Sequence, residues 1–259
     1  MLRFAANISM LFAERDWLDR PAAAAAAGFE AIEIQFPYDR PAEDWRRAIE
    51  AAGLAVSVLN LPVGDMLTGG PGLAATPGRE AEFRRAVETA RGVAAALRPG
   101  NVNVLAGYPE RHGFERARCL ETLAENLLVA ADAMGGIGIG VVVEAVNAVD
   151  RPGFLLTTSA EALEAVDMAG HGNLALQHDF YHMDIMEGRP IERLGEIVGR
   201  IGHVQFADNP GRREPGTGAI DFPAVFAALD RLGYEGWTAA EYRPSRRTEE
   251  TLGWMTAAG

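Results

Sequence analysis

Two hydrophobic rhythms take turns along the chain. Short runs rich in Val, Ile, Leu or aromatic residues have the length and composition of strands: LRFAANI (2–8), AIEIQF (31–36), LAVSVLN (54–60), NVNVLA (101–106), IGIGVVVEAV (137–146), NLALQHD (173–179), IGHVQFAD (201–208) and GWTAAEY (236–242). Between them, stretches rich in alanine, leucine and arginine predict helices at 16–27, 41–52, 79–97, 115–134, 158–169, 189–199, 221–232 and 247–256. The punctuation agrees. Gly28, Gly53 and Gly170 follow predicted helices, and Thr158-Ser159 precedes an alanine-rich run carrying Glu161. Eight such units run through 1–259 with no linker, charge block or change of composition. The pattern predicts an α/β fold of one domain, a (β/α)8 barrel. A doubly wound sheet would show a glycine fingerprint after its first strand, but SMLFAERD has no glycine there. The glycines of GGIGIG (135–140) lead into a strand instead of following one, and read as a helix-to-strand turn.

In such a barrel the chemistry sits at the C-terminal ends of the strands. There the apolar pattern breaks in a regular way. Glu144 follows three valines in VVVEAVN, where a lone buried carboxylate costs several kcal/mol unless something compensates it. Asp179, Gln205 and Glu241 occupy the corresponding places on the next three strands, each about one βα unit further on. A single buried acid is more often a structural partner of arginine or of backbone amides. Four oxygen-bearing side chains at successive strand ends point instead to a shared ion. Three facing carboxylates repel, and a divalent cation resolves the conflict. Oxygen donors without cysteine suit Mg²⁺ or Mn²⁺.

Other polar residues fall near the same mouth. His182, three residues past Asp179, reads as a loop histidine able to hydrogen-bond a substrate or a metal-bound oxygen. His178 has the opposite parity to Asp179 and reads as structural; His203, deeper in its strand, reads as a core histidine. Glu33 and Asn7 end the second and first strands and could support the site. The loop DNPGRREPGTG (208–218) brings Arg212 and Arg213 within reach of the mouth, and an arginine there suits a carboxylate substrate. PGTG is too short and common to stand as a phosphate cradle.

Composition narrows the chemistry further. The net charge of −12 argues against a nucleic-acid surface and against an anionic membrane, while leaving room for a small acid held by local arginines. All 24 basic residues are arginine, so Schiff-base chemistry, pyridoxal-phosphate anchoring and a P-loop, which need lysine, are excluded. Cys119 is the single cysteine, which points to a reducing compartment. MLRFAANISMLF has no long apolar run, because Asn7 and Ser9 interrupt it, and the expected location is the cytoplasm. No G-x-S-x-G elbow of a serine hydrolase is present. Self-association into a homo-oligomer is left open.

At these residues the chain resembles the hydroxypyruvate isomerase family, one of the xylose isomerase-like barrels. The similarity runs nearly end to end, through FAANISMLF, FPYD, NLPVGD, TPGREAEF, EAVNAVDRPGF, QHDFYHMDIMEG, HVQFADNPGRREPGTG and GWTAAEYRP. It implies metal-binding and acid/base roles at Glu144, Asp179, Gln205 and Glu241, the glutamates being catalytic, and substrate contacts from His182 and Arg212. The implied reaction converts a small hydroxy-keto acid, hydroxypyruvate, into tartronate semialdehyde. Two departures bear on the substrate: Leu59 stands where relatives often have histidine, and Ala219 where glutamate often follows PGTG. A sister group resembles 2-oxo-tetronate isomerases, and sugar epimerases share the superfamily. A metal-dependent endonuclease of that superfamily would want more histidines and a basic face.

Overall fold

The computed structural model describes residues 2–257. Eight parallel strands close into a barrel in sequence order: β1 (Arg3–Asn7), β2 (Ala31–Ile34), β3 (Ala55–Asn60), β4 (Asn101–Val104), β5 (Gly140–Glu144), β6 (Leu174–Asp179), β7 (Ile201–Phe206) and β8 (Trp237–Ala240). The ring is completed by β1 pairing with β8, Ala6 lying opposite Ala240. The helices that link them are α1 (Arg20–Ala26), α2 (Ala42–Ala52), α3 (Glu80–Leu97), α4 (Arg116–Gly135), α5 (Ser159–Ala169), α6 (Phe180–Glu187), α7 (Leu194–Ile197) and α8 (Phe222–Arg231), with α9 (Trp254–Ala257) after the last strand.

The strands are short, and alternation within them separates two cores. Outward residues such as Val102, Val104, Val141, Val143, Leu174 and Leu176 pack with helix residues such as Leu123, Leu127, Ala162 and Val166. Inside the barrel the filling is small: Ala5, Ala31 and Ala239 form a separate buried cluster. Crowding there sets one residue's identity. The register of β6 with β7 slips by one position, Leu176 facing Ile201 but Gln177 facing His203. Gly202 sits in that slip, and a Cβ on it would lie 2.9 Å from both Ala175 Cβ and Val142 Cγ1. The bulge re-aims the rest of β7, so that His203 and Gln205 are brought to the Glu33 carboxylate.

The expected strands and most helices are present, with three differences. DFYHMDIMEG is not a loop: α6 begins immediately after β6, and Asp179 caps it by accepting from Tyr181 N (2.9 Å). The helix expected over 189–199 shrinks to α7 and a 3-10 turn, and the helix over 247–256 becomes a 3-10 turn (Thr248–Thr251) followed by α9. Glycines interrupt both stretches, Gly195 and Gly199 in the first and Gly253 in the second, and each lowers helix stability by about 1 kcal/mol relative to alanine. At α5 the local signal is strong. Thr158 accepts from Glu161 N (3.2 Å) while the Glu161 side chain accepts from Thr158 N (3.2 Å), a reciprocal cap. Among the described residues no helix is long and apolar enough to cross a membrane.

Candidate active site

The C-terminal mouth of the barrel is a cavity of about 310 Å³, lined among others by Glu144, Gln177, His182, Gln205, Arg212 and Glu241. Asp179 lies against it, its Oδ2 3.4 Å from His182 Nε2 and 3.5 Å from Arg212 Nη2. All six residues singled out from sequence therefore meet at one place. Glu144, Asp179 and Glu241 are buried, as are Gln205 and His182.

The two glutamates are held in the same manner. At Glu144, Oε2 accepts from Asn103 Nδ2 (2.8 Å) and Gln177 Nε2 (2.9 Å), while Oε1 faces His182 Nε2 at 3.8 Å. At Glu241, Oε1 accepts from Asn7 Nδ2 (2.9 Å) and Gln35 Nε2 (2.7 Å), while Oε2 takes a hydrogen bond from Arg212 Nη2. Each carboxylate thus has one oxygen pinned by neutral amides and the other turned to the mouth. Gln205 is fixed from both ends of its amide: Oε1 accepts from Gln177 Nε2 (2.7 Å) and Nε2 donates to Glu33 Oε2 (2.9 Å). Glu33 itself is fully buried, hydrogen-bonded to His203 and accepting from Asn7 Nδ2 (2.9 Å).

Electrostatics follow from this crowding. Burial pushes the Glu144 carboxyl well above the ordinary carboxylate range, and the charges of Glu241 and Asp179 push it further. Burial also raises Asp179, with Arg212 opposing, and raises Glu241 to about 7. For Arg212, burial works against the charge, but the three carboxylates outweigh it and hold the guanidinium protonated. The guanidinium also lies 5.3 Å from the Tyr181 ring centroid.

His182 is kept neutral, chiefly by burial and then by the charge of Arg212. Its tautomer follows from a neighbour. Asn147 Oδ1 already accepts from Asp150 N (2.7 Å), so the Asn147 amide nitrogen is the atom 2.6 Å from His182 Nδ1. Nδ1 must accept there, which leaves the ring hydrogen on Nε2, directed at the carboxylates. By distance alone Glu144, Asp179 and His182 could hold a metal ion, their ligand atoms lying within 4.8 Å of one another. The hydrogen on Nε2 makes His182 a donor in this arrangement.

The loop after β7 is organised by a carboxylate from the chain. Asp208 Oδ2 accepts from the backbone N–H of Gly216 (2.8 Å), Thr217 (3.0 Å) and Gly218 (2.8 Å), and Oδ1 from Asn209 N (2.9 Å) and Ile220 N (3.1 Å). The PGTG amides cradle Asp208, not a phosphate. Gly218 is required for the approach, since a Cβ would lie 2.3 Å from Asn209 O. Arg212 sits at the turn of this loop with φ 53°, a left-handed conformation uncommon for arginine. Its carbonyl is tied to Arg243 N (2.7 Å). Arg213 is exposed and does not line the mouth.

Residues 21–258 match the Xylose isomerase-like TIM barrel family. The chain belongs to that family. Within the xylose isomerase-like barrels, it is 41% identical over 255 residues to a 2-oxo-tetronate isomerase of Cupriavidus necator and 42% identical over 255 residues to a hydroxypyruvate isomerase of Escherichia coli. Both alignments cover 98% of this chain and 98% of the relative. A crystal structure described as an AP endonuclease, family 2, from Brucella melitensis superposes with a TM-score of 0.95 at 39% identity, covering 99% of this chain and 98% of that one.

Asn103, Gln35, Gln177 and Asn147 were not among the residues marked from sequence. Parity offered a signal for Asn103 and Gln177. NVNV places Asn103 on the inward side of β4, and Gln177 shares its face with Asp179. His178 points the other way, 3.4 Å from Ser159 Oγ and edge-on to Phe180.

Proposed function

We propose that this enzyme interconverts hydroxypyruvate and tartronate semialdehyde (2-hydroxy-3-oxopropanoate). The observation that carries the reading is the pair of buried glutamates on strands five and eight, each with one oxygen pinned and one oxygen turned to the same cavity. One glutamate takes a proton from C3 and the other returns a proton to C2. The hydroxyl proton passes from O3 to O2, so the product is an isomer and nothing is gained or lost. His182, with its hydrogen on Nε2, and the Arg212 guanidinium supply donors for the oxygens that carry charge in the enediolate. Acid–base help of this kind is worth about 10²–10⁴-fold.

The donor set fits a hard divalent cation, Mg²⁺ or Mn²⁺. Three buried carboxylates stand together, and one positive guanidinium already bonds two of them. Glu144, Asp179, Gln205 and Glu241 would hold the ion, with His182 kept as a donor beside it. When bound, the cation would make the C–H bond more acidic and offset the charge of the enediolate. The single cysteine, buried Cys119, supports a reducing compartment, the cytoplasm.

A longer substrate, a 2-oxo-tetronate, is the second reading, supported by the near-equal identity to relatives of that name. A sugar epimerase is less well supported, because histidine instead of Gln205 is the expected third ligand. The test is to follow hydroxypyruvate and 2-oxo-tetronates by NMR in D₂O with Mg²⁺- or Mn²⁺-supplemented protein. Deuterium at the carbon next to the carbonyl, with product formed, is the expected result. No exchange with any of these acids would overturn the reading.

A further inference from the structure

Arg212 is poorly placed to read a substrate's carboxylate. Its Nη2 serves Glu241 Oε2 and Asp179 Oδ2, its Nε lies 3.4 Å from the Glu241 carbonyl, and its charge is matched by three acids. A second arginine stands at the same mouth. Arg151 lines the mouth cavity and also an outer chamber of about 790 Å³, whose walls include Tyr181, Arg212 and Arg243. Its guanidinium makes no hydrogen bond or ion pair with any described residue, although the chain carries 36 acidic residues.

The position of Arg151 is set by its backbone. Its N–H donates to Asn147 O (3.1 Å) and its carbonyl accepts from Phe154 N (3.1 Å). Both bonds lie in the loop that leaves Glu144 and fixes the His182 ring through Asn147. Its charge is felt at His182. The nearest acid in the loop, Asp150, is already engaged by Tyr181 Oη (2.7 Å) and Asn147 Nδ2 (3.1 Å). Arg151 is exposed, sits on a pinned turn and lines both cavities, and a guanidinium there with its donors unused is suited to bidentate capture of a small carboxylate. In a protein of net charge −12 it also gives an incoming anion a local attraction.

We propose that Arg151 holds the substrate's carboxylate and so selects for small 2-hydroxy and 2-oxo acids, leaving Arg212 to the oxygens on the reacting carbons. The carboxylate then lies where the mouth meets the outer chamber, with the reacting end toward Glu144 and Glu241. The identity of the substrate rests on the isomerase reading; the carboxylate contact does not.

The test compares glycerate with its uncharged analogue glyceramide, by calorimetric titration of Mn²⁺-supplemented protein. The wild type is expected to bind glycerate about tenfold or more tightly than glyceramide. Arg151→Met is expected to cut that preference to within about threefold while binding glyceramide as before, which also reports that the fold is intact. Arg243→Met, on the outer wall alone, is expected to keep the preference. In turnover of hydroxypyruvate, Arg151→Met should raise KM about tenfold with kcat held within about twofold. A wild type without preference, or an Arg151→Met protein that keeps it, overturns the assignment. A protein that loses the preference in Arg151→Met but exchanges no deuterium upholds the contact and removes the isomerase reading.

Discussion

The two halves of the barrel's rim are built from different chemistry. The ends of β5 to β8 supply Glu144, Asp179, Gln205 and Glu241, three of them acids. The ends of β1 to β4 supply Asn7, Gln35, Asn60 and Asn103, none of which can ionise. The neutral half holds the charged half in place: Asn7 and Gln35 grip Glu241, and Asn103 grips Glu144. An arginine in those places would have quenched the carboxylates; an amide orients one oxygen and leaves the charge available. Glu33 is the exception on the first half, and its carboxylate is spent on His203, Gln205 and Asn7.

Neutralising one acid of the charged half should have the largest effect. Glu144→Gln is expected to lower kcat for hydroxypyruvate by about 10²–10⁴-fold. Its melting temperature without metal should be equal or higher, because a carboxyl whose ionisation the fold penalises is replaced by a neutral amide. Calorimetry alongside the NMR assay checks both; near-wild-type turnover would take Glu144 out of the chemistry.

The charged half should also show itself in how stability depends on pH. Glu241 titrates near pH 7 in the folded, metal-free protein against an ordinary 4.5. The folded state therefore holds a proton more tightly than the unfolded chain. Its contribution to stability is fully present below about pH 4.5 and is lost as pH rises through about 7, and Glu144 and Asp179 act in the same direction. Mn²⁺ at 100 times its Kd should restore about 2.7 kcal/mol, or about 5–10 °C in Tm. At one fixed Mn²⁺ concentration the gain should be larger at pH 8 than at pH 5, since protons compete with the ion and weaken its Kd. A shift equal at both pH values would contradict the shared acidic site.

The neutral half predicts a milder effect. Asn103→Leu leaves every acid in place but frees Glu144 Oε2 from one of its two amides, and an activity loss of about 10–100-fold is expected. A change within about twofold would mean that Gln177 alone suffices to hold Glu144.

How much of this was legible follows from where each residue's signal comes from. Glu144, Asp179, Gln205 and Glu241 stood out because each interrupts an apolar strand, and eight evenly paced units made the barrel readable. The amides carry no charge, so Asn103 and Gln177 were hidden in strands although parity puts them on the inner face. His182 was placed in a loop because α6 starts on the residue after β6, with Asp179 serving as both strand end and helix cap. The Asp208 hub rests on backbone N–H groups, which leave no mark in the side-chain pattern. Nothing in the sequence sets the unpaired Arg151 apart from the other arginines among 24 basic residues.

The smallest expected effect comes from the outer face of β6. Burial lowers His178 to about 4, so it stays neutral, and it packs against Ser159 and Phe180 outside the barrel. His178→Leu should change kcat by less than about threefold, since it neighbours Asp179 in sequence but not in chemistry. A larger loss would mean that the two faces of this strand are coupled.

The most direct measurement is anomalous diffraction from crystals grown with Mn²⁺. One strong peak is expected at the barrel mouth, within bonding distance of oxygens from Glu144, Asp179, Gln205 and Glu241, with His182 beside it and not on it. A peak held by Glu144, Asp179 and His182 Nε2, with Gln205 and Glu241 out of reach, would contradict the four-oxygen site, as would no peak in the mouth at all.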